Sequence, residues 1–362
     1  MQTGAEMSAA ALLPFALLLL QPQERDKDLR RGKWKPRDCP PGWTLKETRS
    51  YQVQSELSPE TTALITDHLE GMMKSYETFR PFHKPRDKYI LKVFASRKNY
   101  LDYGSPPGSA AYYSQGEKEL VCYDTGKIGG KSTRDPKHIE EEMKKRLEAD
   151  KPLDDAPAWR KEAWPFLQQL RTRLSHDLLG VLSHEGWHQY FHHYIVSQVG
   201  FPSWLDEGLG DFFYRAAPDV EDVEAFRQVP PLGVRFPALR LGLLSGKTAP
   251  WKEILDFTQE KYYADAQTFY AQGWSMTHFL LTHPDPKVRA IIPNYLVVFK
   301  DKHRMDLSNV AAFRGHDIGK LEAGWKEYVA TLRFDDPELQ NLLEQAEAIL
   351  IKHLGGNGDG SR

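Results

Sequence analysis

The chain has 362 residues, 40% of them hydrophobic and 27% charged, enough to bury a sizeable core in one elaborated domain or two. Its 48 Lys and Arg against 50 Asp and Glu leave a formal net charge of −2, which argues against a nucleic-acid surface. Two cysteines, Cys39 and Cys122, exclude a disulfide-dense scaffold and any cysteine-rich zinc module.

Residues 1–22 contain Ala9–Leu20, a run of 12 apolar residues interrupted only by Pro14. That is shorter than the roughly 20 residues of a membrane span and suits the core of a signal peptide, so export without a stable membrane span is expected. In an exported chain Cys39 and Cys122 can pair; as buried thiols they are equally ordinary. Residues 23–42, charged and proline-bearing, read as a linker. Residues 43–125 read as an α+β block. There Tyr51, Val53 and Ser55 alternate with polar neighbours as in a strand, and Ser58-Pro59-Glu60 opens a helix through Leu64, Leu69, Met72, Met73 and Tyr76. Tyr89–Ala95 reads as a strand, and Ala111–Tyr113 with Glu119–Tyr123 as a hairpin-like pair. Either Tyr89–Ala95 or Ala111–Tyr113 can offer an edge to an extended peptide. Residues 126–160 form a charged, Gly-rich connection with a helix candidate at Ile139–Leu147. From 161 to 335 the chain is mostly helical, with candidates at 164–196, 204–215, 264–282, 287–300 and 318–332. Residues 336–362 give a C-terminal helix, 337–354, and a tail.

One constellation carries chemistry. LLGVLSHEGWHQYFHHYI contains His184-Glu185-x-x-His188. On a helix, side chains at i and i+4 share a face one turn apart, so two imidazoles can reach one zinc. Glu185 lies beside them, placed to take a proton from water. Apolar residues surround the helix on all sides, which predicts a buried one. After an 18-residue gap comes Glu207, in PSWLDEGLGDFF. Ser203 followed by Asp206 is a capping-box signature and predicts a helix from about Trp204. On that helix Glu207 and Asp211 share a face, opposite Leu205, Leu209, Phe212 and Phe213. Glu207 supplies the third protein ligand a catalytic zinc needs, leaving one position for water. His188 and His192 are also i, i+4, but Gln189 stands where a base would be, so that pair predicts a structural or inert site. Further on, Tyr270, Trp274 and His278 recur at helical spacing, either as core aromatics or as donors to the site.

The motif His184-Glu185-x-x-His188 with Glu207 at this interval resembles the gluzincin metallopeptidases, and the four-residue step from Glu207 to Asp211 resembles their thermolysin-like pattern. Trp204-Leu-Asp-Glu-Gly-Leu and Tyr270-Ala-Gln-Gly-Trp look like an uncharacterised bacterial family of exported gluzincin-like proteins. The resemblance implies an α+β, zincin-like metallopeptidase fold, with an N-terminal mixed sheet and a mostly helical C-terminal part. It implies zinc on His184, His188 and Glu207, with Glu185 as general base and Asp211 orienting a ligating histidine. It further implies Tyr270 as the oxyanion donor and a peptide or protein as substrate. The G-x-M-E-N strand of the aminopeptidase branch has no match upstream, so aminopeptidase specificity is not implied. The alternative is a zinc-stabilised binding or structural module without turnover, against which the intact Glu185 counts. Oligomeric state has no signal in the sequence.

Overall fold

The computed structural model describes residues 39–77, 87–133, 156–174, 176–194, 201–214 and 233–355, with Glu141 and Lys145 as isolated positions. The apolar run 9–20 and, apart from those two positions, the helix candidate 139–147 lie outside the described residues.

The N-terminal block is built on a five-stranded mixed sheet, in the order β1-β2-β3-β5-β4. Its strands are β1 (Thr44–Glu47), β2 (Tyr51–Ser55), β3 (Tyr89–Phe94), β4 (Ala111–Ser114) and β5 (Glu119–Tyr123). Strands β2, β3 and β5 run parallel, while β1 and β4 flank them antiparallel. A parallel step needs a crossover, and α1 (Pro59–Glu77) supplies it between β2 and β3. Ser58 Oγ accepts the Thr61 amide at 3.2 Å, and Pro59 has no N–H to strand, which explains why α1 starts there. A short helix, α2 (Arg97–Asp102), follows β3 and is capped by Ser96. A small two-stranded pair, β6 (Lys127–Ile128) and β7 (Lys131–Ser132), follows β5.

The two-residue period of the strands sorts their side chains onto two faces. Tyr51, Val53, Leu91, Val93, Leu120 and Cys122 join the main core, while Phe94, Val121 and Tyr123 pack with Tyr100 and Tyr103 on the other face. There Lys92 and Glu119, both fully buried, pair at 3.0 Å, and Tyr103 Oη bonds to each. Cys39 packs on this second face, Cys122 in the main core, and both are free thiols. Strand β3 is flanked on both sides, so of the two strands expected to offer an edge, only β4 does.

Helices make up the rest: α3 (Ala158–Arg173), α4 (Leu178–Tyr194), α5 (Ser203–Phe212), α6 (Arg235–Leu244), α7 (Trp251–Ile254), α8 (Gln259–Ala264) and α9 (Ala266–Thr282), then α10 (Pro286–Arg289), α11 (Ile291–Lys302), α12 (Met305–Ala312), α13 (Ile318–Thr331) and α14 (Pro337–Gly355). The candidate 164–196 is two helices because Asp177 interrupts it. Its carboxylate accepts the Leu179 amide at 3.0 Å, capping α4, and also the amides of Gly129 and Gly130. The candidate 287–300 likewise divides into α10 and α11. One continuous apolar cluster runs from Tyr51 on the sheet through Trp187 and Phe191 on α4 to Leu342 on α14. Helices α5 and α9 approach closely because both carry glycine at their contact. A Cβ at Gly208 would lie 2.6 Å from the Gly273 carbonyl oxygen, and one at Gly273 would lie 2.7 Å from that of Trp204. This approach sets Tyr270 against Glu207. Among the described residues no helix is long and apolar enough to cross a membrane.

Candidate metal centre

Helix α4 is buried nearly all round, as its sequence predicts, and presents His184 and His188 to an open cleft of about 1150 Å³. Helix α5 faces it with Asp206, Glu207 and Asp211. Glu185, Tyr270 and strand β4 also line this cleft, so every residue of the sequence-derived site meets in one place. Of the downstream aromatic stripe only Tyr270 reaches it: Trp274 is fully buried, and His278 bonds to Tyr328 Oη at 2.8 Å.

The geometry is that of a ligand triangle. His184 Nε2 and His188 Nε2 stand 3.0 Å apart, and Glu207 Oε2 lies 3.2 Å from the first and 3.4 Å from the second. Ligands about 2.0–2.1 Å from a tetrahedral zinc are about 3.3–3.4 Å from one another, so the triangle matches the face of such a site.

What the rings carry on their other side decides the chemistry. Burial favours the neutral form of Asp211, yet Arg235, whose Nε donates to Oδ2 at 2.8 Å, and His184 hold its carboxyl below the usual range. An ionised carboxylate only accepts, so His184 Nδ1–H is the donor in the 2.9 Å bond to Asp211 Oδ1. Asp206 is likewise held low, against its burial, by His192 and His188, and His188 Nδ1–H donates to its Oδ1 at 3.0 Å. Both protons of the neutral rings are therefore committed outward. With those protons turned outward, two Nε2 atoms and a carboxylate oxygen converge on one point, an arrangement that favours a cation there, whether proton or metal. The titration behaviour agrees. Burial disfavours a charged His184, but Asp211 and Glu207 outweigh it and raise the ring to about 9. His188 is likewise raised, against its burial, by Asp206 and Glu207. Glu207 itself lies well below its ordinary range despite burial, held there by the two histidines. The group can bind a metal ion.

A second group, His188, His192 and Asp206, also brings potential ligand atoms within 4.8 Å of one another. Here His192 Nε2 lies 2.9 Å from Asp206 Oδ2, so each carboxylate oxygen already faces one ring nitrogen. The same fact corrects the expected capping box. Asp206 is drawn to the histidines instead of the helix start, and α5 begins at Ser203 behind Pro202 with no side-chain cap.

Three further residues complete the surroundings, and sequence reasoning did not single them out. Tyr263 Oη donates to Glu207 Oε1 at 2.6 Å beside Tyr270 Oη at 2.8 Å, so this oxygen is held on the side away from the histidines. Arg235 neutralises Asp211 and stacks over the Tyr270 ring at 4.5 Å. Gly210 leaves room for His184, since a Cβ there would lie 2.8 Å from the ring. Glu185 reaches toward β4 and accepts the Tyr113 backbone amide. Burial raises its carboxyl above the usual range, with His188 and His184 partly offsetting it. Tyr263 and Arg235 lie far along the chain from the motif and carried no local signal, whereas Asp206, adjacent to Glu207, could have been noticed by its place in the sequence.

Residues 179–294 match the family described as Protein of unknown function (DUF1570). The matched stretch runs from α4 into α11 and contains every residue of the centre except those of β4. No curated protein matches the chain.

Proposed function

We propose that the chain is an exported zinc-dependent peptide hydrolase of gluzincin type, with a zincin-like fold. The observation that carries this reading is the convergence of His184 Nε2, His188 Nε2 and Glu207 Oε2, beside Glu185, a carboxylate outside that group. Zinc held by these three residues supplies Lewis acidity, lowering the pKa of water and polarising a substrate carbonyl. Glu185, its carboxyl raised by burial and aimed by the Tyr113 amide, accepts the proton of the attacking water and delivers it to the departing amine nitrogen. Tyr270 turns from Glu207 Oε1 toward the charge developing on the carbonyl oxygen, while Tyr263 keeps its own bond to that carboxylate. The backbone edge of β4, from Ala111 to Tyr113, receives the extended peptide as an added strand. Export rests on the apolar run Ala9–Leu20.

The test is Glu185→Gln, which keeps shape and hydrogen-bonding reach but takes up no proton. Hydrolysis of a mixed peptide library should fall about 10²–10⁴-fold while zinc content and thermal stability hold. Equal hydrolysis by the variant removes Glu185 from the chemistry. A wild type that binds zinc stoichiometrically yet cleaves nothing supports a zinc-stabilised module without turnover.

A further inference from the structure

Away from the metal centre, helices α3 and α6 enclose a slot of about 130 Å³ whose chemistry is unbalanced. Along α3, Arg160, Trp164, Leu167 and Arg171 recur at helical spacing, so they form one stripe. Facing them, Ala238 on α6 and Ser245 at its end are too small to fill the space. Trp164 is 9% exposed, and its indole N–H has no acceptor among the described residues. Such a buried donor is costly to leave unmade. At the rim, neither the half-buried Arg160 nor the exposed Lys247 is in an ion pair among the described residues. The one carboxylate in the lining, Asp265, is engaged in capping α9 through the Thr268 amide.

An apolar slot with a spare buried donor and spare cations lacks an acceptor and a negative charge. We propose that it binds a small monocarboxylate bearing one aromatic or branched aliphatic group, with the apolar group between α3 and α6 and the carboxylate at the cationic rim. A cavity of roughly 150 Å³ accommodates a benzene-sized ring, so the volume sets the size of that group. The same chemistry belongs to a free aryl-alkyl acid and to the C-terminal residue of a peptide. Besides α3, the walls are the helix that carries Arg235 and the start of the helix that carries Tyr270, and Gln267 lines both the slot and the metal cleft. The proposal does not depend on hydrolysis.

Binding of 3-phenylpropionate, N-acetylphenylalanine and N-acetylphenylalanine amide to the full chain would be measured by calorimetry and ligand-observed NMR. The first two should bind with dissociation constants on the order of 1 mM or tighter, and the amide at least about tenfold more weakly, because bonds to charged groups are the strong ones. Preference for the free acid over N-acetylphenylalanine identifies a small-molecule source; the reverse identifies a peptide C-terminus. Arg160→Gln, at a half-buried rim position, should weaken binding about tenfold and flatten its salt dependence. Ala238→Phe should abolish binding by filling the slot, and Trp164→Phe should weaken it while keeping the ring. Equal affinity for acid and amide, no binding of either acid in the millimolar range, or unchanged binding by both Arg160→Gln and Ala238→Phe would overturn the proposal.

Discussion

Two histidine–carboxylate groups meet in the cleft and share His188. In one, His184, His188 and Glu207 stand 3.0–3.4 Å apart; in the other, Asp206 lies 3.0 Å from His188 and 2.9 Å from His192. Residue types and spacings are nearly the same, yet the directions of the hydrogens differ. In the Asp206 group each ring nitrogen has a carboxylate oxygen opposite it, and donors meet acceptors one to one. In the Glu207 group the Nδ1 protons point away, toward Asp211 and Asp206, and both Nε2 atoms face the centre beside Glu207 Oε2. A metal site is thus marked less by which residues cluster than by what stands behind each ring. Asp211 and Asp206 stand behind the imidazoles, where each accepts an Nδ1 proton and so orients its ring and sets the tautomer.

The largest expected effect separates the two groups outright. His184→Ala and Glu207→Gln should each reduce metal affinity by more than roughly 100-fold, since each removes a direct ligand. His192→Ala should leave one metal per chain. Elemental analysis of the purified variants reads the difference. If His192→Ala loses the metal and His184→Ala keeps it, the assignment of the two groups must be exchanged.

Next come the carboxylates behind the rings. Asp211→Ala and Asp206→Ala should each weaken metal binding about 10–100-fold. They should differ in stability. Removing Asp211 leaves the Arg235 guanidinium, 28% exposed, without its carboxylate, whereas removing Asp206 strands only histidines, which can shed their charge. A lower melting temperature is therefore expected for Asp211→Ala than for Asp206→Ala, read by calorimetry on metal-free protein.

What the sequence made legible follows the same division between local and distant causes. His184, Glu185 and His188 lie within two turns of one helix, so periodicity alone aligns them, and Glu207 and Asp211 align in the same way on the next. The strands read at 51–55, by alternation, and at 89–95, 111–113 and 119–123 stand in the structure within one residue of those bounds. Their order was not legible, because pairing is set by partners far along the chain, and so the central place of β3 and the edge position of β4 emerged only in three dimensions. Asp206 was read as part of a cap because its tertiary partners, His188 and His192, belong to a helix that the local pattern does not see. Tyr263 and Arg235 reach the cleft from α8 and α6, helices too short or too evenly apolar to stand out. The breaks at Asp177 and at Ala290 were missed because each falls inside a stretch whose apolar spacing continues across it.

A pH dependence sharpens the comparison further. In metal-free protein His184 titrates at about 9. Its Nδ1 proton is committed to Asp211, so the proton gained below that pH sits on Nε2, where the metal binds. Metal affinity should therefore fall as pH drops below about 9, by about tenfold per unit for each proton displaced, and level off only where His188, also raised, has lost its extra proton. Calorimetry in two buffers of different ionisation enthalpy should show at least one proton released per metal bound at pH 7. Release of none would mean that both rings are already neutral at pH 7 and that Asp211, Asp206 and Glu207 do not raise their proton affinity.

The smallest expected effect belongs to His192. It meets the centre through Asp206 Oδ2 and by stacking on the His188 ring at 6.0 Å, while Asp206 Oδ1 remains bonded to His188 in its absence. His192→Gln keeps a donor on the same helix face and should change metal affinity no more than a few-fold, well inside the range of outer partners. Its ring also lies parallel to that of Tyr113 at 6.5 Å, on the strand whose amide holds Glu185. Loss of that contact loosens β4 rather than the ligands. For peptide hydrolysis, the Michaelis constant should therefore rise more than the turnover number falls, because uniform binding is lost without touching the proton-transferring group. A turnover number reduced as far as in Glu185→Gln, with the Michaelis constant unchanged, would instead place His192 in the chemistry and make the Asp206 group part of the catalytic apparatus.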